Sequence, residues 1–138
     1  MPNYKEYKFS GLAVSPGKAN GELVLSSKMA EELGKHKKCV LLQATTEPMD
    51  FYGMQKCRAI ITSDGSSGSH AAIVSRQLKI PSVVGFKTKH LVTFLVSMEP
   101  PYVMIDGTAF YEGDSVSVDG DAGTFTILKK LRKVDKLE

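Results

Sequence analysis

The segment from Ala59 to Gly85 constrains the fold more than any other part of the chain. It opens with a short apolar run, Ala59 to Thr62, suited to a buried strand. A loop of small residues follows, Gly65-Ser66-Ser67-Gly68-Ser69, and runs straight into His70-Ala71-Ala72-Ile73-Val74. The amphipathic spacing predicts a helix from about Ser69 to Leu78, with Ile73 and Leu78 among its apolar contacts. Pro81 forbids its continuation. Ser82 to Val84 then reads as a second short strand, closed by Gly85. A strand, a helix and a strand in this order point to a partly parallel sheet with helices packed on it.

The flanking sequence adds more short elements. Tyr7 to Val14 alternates and stops at the turn signal Ser15-Pro16-Gly17; Asn20 to Ser26 reads as a strand. Ser27 is expected to cap a helix over Lys28 to Leu33 that Gly34 stops. Cys39 to Leu42 suits a buried strand, and Thr46-Glu47-Pro48 opens a helical turn through Met54. Leu91 to Met98 fits either helix or strand and is broken by Glu99-Pro100-Pro101. Tyr102 to Ile105 reads as a strand ended by Asp106-Gly107. Ser115 to Val118 and Thr124 to Leu128, joined through Asp119-Gly120, read as a hairpin. The expectation is an α/β fold: a mixed sheet with short packed helices and a β-hairpin end. One domain over residues 1–138 is expected, with a loose or vector-derived tail from about 129 to 138; Leu137-Glu138 resembles a cloning remnant.

Composition removes several function classes. The 138 residues are enough for one sizeable core, and 42% apolar with 24% charged residues fits a globular protein. The net charge of +3 comes without a basic stripe carrying interleaved aromatics, so no nucleic-acid partner is expected. No apolar run could span a bilayer, so no membrane partner is expected either. Met1 to Ser10 is polar and lacks the apolar core of a secretion signal; two isolated cysteines make a reducing, cytoplasmic compartment the default expectation. Cys39 and Cys57 form no CxxC; they read as small hydrophobes, and a disulfide between them is not signalled. His36 and His90 sit in Lys-rich turns and read as solvated. With three scattered histidines, no metal site is expected.

The loop before His70 has the makings of an anion site. A helix N-terminus presents unpaired N–H groups and roughly half a positive charge. Gly65 and Gly68 are expected to adopt positive φ and turn amides inward, while Ser66, Ser67 and Ser69 offer hydroxyls. The GxxxxGK[ST] pattern of a P-loop is absent. His70 on the first turn is a candidate nucleophile towards phosphorus. The small side chains of Ala71 and Ala72 would let a partner site close over it. On the residues alone, an ordinary polar histidine at a helix start stays open as an alternative.

Ile61 to Gly85, "ITSDGSSGSHAAIVSRQLKIPSVVG", resembles the phosphohistidine segment of the PEP-utilising enzymes, such as pyruvate phosphate dikinase, PEP synthase and enzyme I of the sugar phosphotransferase system. His70 falls on their phosphorylated histidine, and Ser69, Ala71, Ala72, Ile73 and Arg76 also match. Three further blocks resemble the family in the same order: "GLAVSPGKANGELVL" from Gly11, "TEPMDFYGM" from Thr46 and "GDSVSVDGDAG" from Gly113. The resemblance implies a swivelling β/β/α domain whose histidine, His70, carries a phosphoryl group between two sites. It implies a phosphate-binding loop at Gly65, Ser66, Ser67, Gly68 and Ser69, supported by Ala71 and Arg76 on the helix. It implies no cofactor on this domain. ATP and magnesium belong on an ATP-grasp partner domain, and PEP or pyruvate on a barrel domain or another acceptor domain, in cis or in trans. By itself the chain would be part of a phosphotransferase, inactive without those partners. The alternative is a binding module that keeps the fold without phosphoryl transfer.

Two departures stand out. Where relatives place a threonine two residues before the histidine, this chain has Gly68, so a hydroxyl is lost unless Ser67 or Ser69 replaces it. The stretch from Phe86 to Tyr111 is longer than the usual link and reads as a loop elaboration or a docking surface.

Overall fold

The computed structural model describes residues 4–130. Eleven strands and three α-helices follow in chain order. They are β1 (Tyr4–Ser10), β2 (Leu12–Ser15), β3 (Lys18–Val24), α1 (Ser27–Leu33), β4 (Cys39–Gln43), α2 (Phe51–Gln55), β5 (Ala59–Thr62), α3 (His70–Leu78), β6 (Ser82–Val84), β7 (Val92–Leu95), β8 (Tyr102–Ile105), β9 (Thr108–Tyr111), β10 (Ser115–Asp119) and β11 (Thr124–Lys130). Short 3-10 turns lie at Pro48–Asp50 and Phe86–Thr88. No helix among the described residues is long and apolar enough to cross a membrane.

The strands form two sheets. The larger runs β1-β11-β10-β3-β4-β5-β6-β2 and the smaller β7-β8-β9. β3 to β6 are parallel neighbours; every other pairing is antiparallel. The mixed sheet with short helices is therefore as expected. β1 and β2, at opposite ends of the large sheet, are consecutive in the chain with only Gly11 between them. The sheet must curl until its two ends meet at that residue. Gly11 donates its N–H to Gly123 O at 2.8 Å, which ties the corner to the β10–β11 turn.

Alternation along the strands divides the core in two. One face of the large sheet contributes Leu23, Val40, Leu42, Ile61, Val116 and Ile127, and the small sheet adds Val103, Ile105 and Phe110 to the same cluster. The other face of β3 to β6 contributes Val24, Leu41, Ile60 and Val84, and the helices cover it with Ala30, Met54, Ala71, Ala72 and Val74. β5 is buried throughout because it is covered on both sides, which is why it reads as a continuous apolar run.

The structure corrects several expectations. The alternation from Tyr7 to Val14 belongs to two strands, broken at Gly11. The cap of α1 is Ser26, whose Oγ accepts from Met29 N–H at 3.1 Å; Ser27 is the first helical residue. Leu91 to Met98 resolves into β7 and a turn. β9 was not expected at all. With it, the stretch from Phe86 to Tyr111 is the second sheet layer over the core, and a loop elaboration is the wrong description. Lys129 and Lys130, placed in the loose tail, pair with Lys5 and Tyr4 in the β1–β11 ladder. The remainder of that tail lies outside the described residues.

His90 is also not a solvated side chain. Its Nε2 accepts from Ser10 N–H at 3.1 Å and its Nδ1 lies 2.7 Å from Asp106 Oδ2. An amide can only donate, so Nε2 must accept and Nδ1 carries the proton it gives to Asp106. The ring also packs edge-on to Phe9. Cys39 and Cys57 are buried free thiols with their sulfurs 3.7 Å apart. That hydrogen bond and then burial push the Cys57 thiol far up from its ordinary value.

Candidate functional site

β5 ends at Thr62, the small-residue loop turns, and α3 begins at His70. The local sequence explains each step. Gly65 has φ +107°, a left-handed conformation that L side chains rarely adopt, and a Cβ there would come within 3.0 Å of Ser69 Oγ. Ser69 is the N-cap of α3: its Oγ accepts from Ala72 N–H at 3.4 Å and its hydroxyl donates to Ser66 O at 2.8 Å. Ile73 N–H bonds Ser69 O. The amides of His70 and Ala71 have no protein acceptor among the described residues, so both are available to an anion at this helix end.

His70 meets a residue the sequence reading did not place in the site. Thr46 Oγ1 lies 2.9 Å from His70 Nδ1, and Thr46 is only 6% exposed. Thr46 is itself held by a polar lattice. Asp50 Oδ2 accepts from Glu47 N–H at 2.8 Å, and Asp50 Oδ1 accepts from Ser27 Oγ at 2.7 Å. Gln43 Nε2 donates to Thr45 O at 2.9 Å, while Gln43 Oε1 accepts from Ser27 N–H at 2.9 Å. The segment between β4 and α2 therefore carries Thr46 on a fixed frame. The available signal was the block from Thr46 to Met54, which supplies Thr46 and Asp50 together.

A cleft of about 210 Å³ opens beside His70, lined by Thr45, Thr46, Thr62, Asp64, Gly65, Ser69, His70 and Ala71. Four expected site residues thus line it: Gly65, Ser69, His70 and Ala71. The others differ. Gly68 lacks a positive φ, and a Cβ built on it meets nothing within 4 Å, so its expected role in the turn is wrong. Ser66 supports the loop through its carbonyl, and Ser66 and Ser67 are exposed outside the cleft lining. Arg76 sits a turn and a half along α3 and donates from Nε to Val14 O at 2.8 Å, pinning the helix to β2. Ala71 and Ala72 are buried against the sheet, so their small size serves close helix–sheet packing; Ile73, expected inside, is 46% exposed.

The family model described as "PEP-utilising enzyme, mobile domain" matches residues 35–123, which include the cleft, Thr46 and His70. The chain belongs to this family. As a mobile domain it is 34% identical over 115 residues to pyruvate, phosphate dikinase of Rhizobium meliloti, covering 83% of this chain and 12% of that protein. It is 43% identical over 106 residues to the probable phosphoenolpyruvate synthase of Pyrococcus abyssi, covering 75% of this chain and again 12% of the relative. The mobile domain thus corresponds to a small part of much larger enzymes. A solved structure of aconitase X from Thermococcus kodakaraensis matches with a TM-score of 0.55 at 21% identity, covering 89% of this chain and 99% of that one; the likeness is one of fold.

Proposed function

We propose that this mobile domain is a phosphoryl carrier, acting as one unit over residues 1–138, with His70 as the acceptor. The observation that carries the reading is the 2.9 Å contact between Thr46 Oγ1 and His70 Nδ1. When Nδ1–H donates to Thr46, Nε2 keeps its lone pair, and Nε2 has no protein partner among the described residues. In the transfer step the Nε2–P bond forms as the P–O bond to the donor breaks. The electron pair leaves with the donor oxygen, and Nδ1 retains its proton against Thr46. The reverse step returns the phosphoryl to an acceptor oxygen. Such transfer depends on positioning and charge compensation more than on covalent activation.

The chain has the carrier's share of this chemistry. Asp64 is the one carboxylate lining the cleft, and a lone carboxylate is a poor magnesium set. In the carrier reading, following the family resemblance, ATP and magnesium are assigned to an ATP-grasp partner domain, and pyruvate or PEP to a barrel or other acceptor domain. The relatives' names, pyruvate, phosphate dikinase and phosphoenolpyruvate synthase, favour that substrate pair.

The test is to incubate the protein with its nucleotide- and PEP-binding partners and radiolabelled PEP or ATP. An acid-labile, base-stable adduct that disappears in His70→Ala supports the carrier. Equal labelling of His70→Ala overturns it. No label from any donor, with partner binding intact, favours a binding module instead.

A further inference from the structure

The cleft beside His70 carries the wrong sign of charge for its proposed cargo. Of its lining residues, Asp64 alone has a formal charge, and that charge is negative. A phosphoryl group on Nε2 would place a dianion in the same small space. Like charges repel more strongly in a partly desolvated cleft than in bulk water, and a helix end offsets only about half a charge.

The structure places a cation on this carboxylate. Lys87 Nζ lies 3.1 Å from Asp64 Oδ1, and Ser63 Oγ donates to the same oxygen at 3.1 Å. The pair is registered through the backbone on both sides. Gly85 N–H donates to Asp64 O at 3.2 Å, and Lys87 N–H donates to Ser63 O at 3.0 Å. The 3-10 turn at Phe86–Thr88 is thereby fastened to the start of the phosphate loop, with its lysine facing the cleft's one anion. Arg76, the cation carried by α3, is directed to Val14 O instead.

We propose that Lys87 is a positioning residue that makes this cleft tolerant of phosphate. Before transfer it neutralises Asp64. After transfer it goes on cancelling the Asp64 charge, so the phosphoryl dianion meets no uncompensated carboxylate. This inference rests on the carrier reading above. It is not a claim about folding: the Lys87 side chain is 56% exposed, and an ion pair in that setting contributes little to stability.

The experiment measures the equilibrium ratio of phosphorylated to free chain, with radiolabelled PEP as the probe and the nucleotide- and PEP-binding partners present. Lys87→Gln is expected to lower that ratio by about tenfold, an effect that shrinks as salt is added. Lys87→Arg should behave like wild type. Asp64→Asn combined with Lys87→Gln should recover most of the loss, because the carboxylate that needed neutralising is gone. A merely structural role would show as a lowered melting temperature and no rescue by the double change. Wild-type labelling in Lys87→Gln, or a double variant no better than the single, overturns the inference while leaving His70 as acceptor. A wild-type chain that takes no label on His70 overturns the carrier reading and this inference with it.

Discussion

Thr46 does for His70 what no residue of the loop does: it fixes the ring. Without the hydroxyl, the imidazole is free to rotate and to exchange tautomers. A single hydrogen bond of this kind is worth about 0.5–1.5 kcal/mol net, so Thr46→Val should slow the proposed phosphorylation of His70 by about 2- to 13-fold in single-turnover labelling. Thr46→Ser should stay near wild type. The two loop glycines divide in an unexpected way. Gly68→Thr, the residue expected there from the family resemblance, has open space around its Cβ and no positive φ to fight. It should change stability by no more than about 0.5 kcal/mol in a denaturant titration. Gly65→Ala meets Ser69 at 3.0 Å on a left-handed backbone and should destabilise by about 1–2 kcal/mol in the same titration. The sequence showed that a glycine was needed in the loop. It did not show which one, because positive φ is a property of the folded turn.

At the scale of elements, His70 and the frame around it were legible to different degrees. The start of α3 could be read to one residue, because Ser69 is a standard N-cap and small residues crowd the turn before it. Its buried face could not. Ile73 is the residue that periodicity would place inside, yet α3 presses Ala71, Ala72 and Val74 to the sheet and leaves Ile73 out. The environment of His90 is not legible in its Lys-rich neighbourhood, because its partners, Ser10 and Asp106, lie far away in sequence. That clip gives a pH prediction. Leu91 N–H first, and then the His90 side chain, hold the Asp106 carboxyl below the usual carboxylate range. A group whose folded value is depressed stabilises above its unfolded value and loses that contribution as pH falls through the folded one. Wild type and Asp106→Asn should therefore differ in melting temperature near neutral pH and converge as the pH drops below about 4.

The whole molecule is held across its two sheets by aromatic rings. Phe110 on β9 is fully buried and meets Tyr7 edge-on at 5.2 Å and Phe9 at 5.7 Å. Phe110→Ala should lower stability by about 3–5 kcal/mol in thermal or denaturant unfolding, the usual range for a buried ring removed without refilling. That this layer escaped the sequence reading has a physical cause. β9 has only four residues between two turns, and Asp106-Gly107, a good hairpin signal, reads equally well as the plain end of a strand. Its strand character comes from pairing with β8 and from the core beneath it, neither of which is local. The curl of the large sheet, by contrast, carries a consequence for how the molecule meets others. β2, at one border, is four residues long and carries a register shift between Ala13 and Ser15; β1, at the other, exposes Lys5, Glu6 and Lys8. Borders that short, irregular or charged resist annexing a foreign strand. At the large sheet a visitor is left with side chains and the helical rim around His70, a shallow handshake rather than a splice, and the carrier role proposed for His70, which needs repeated arrival and departure, would be served by grips that open again.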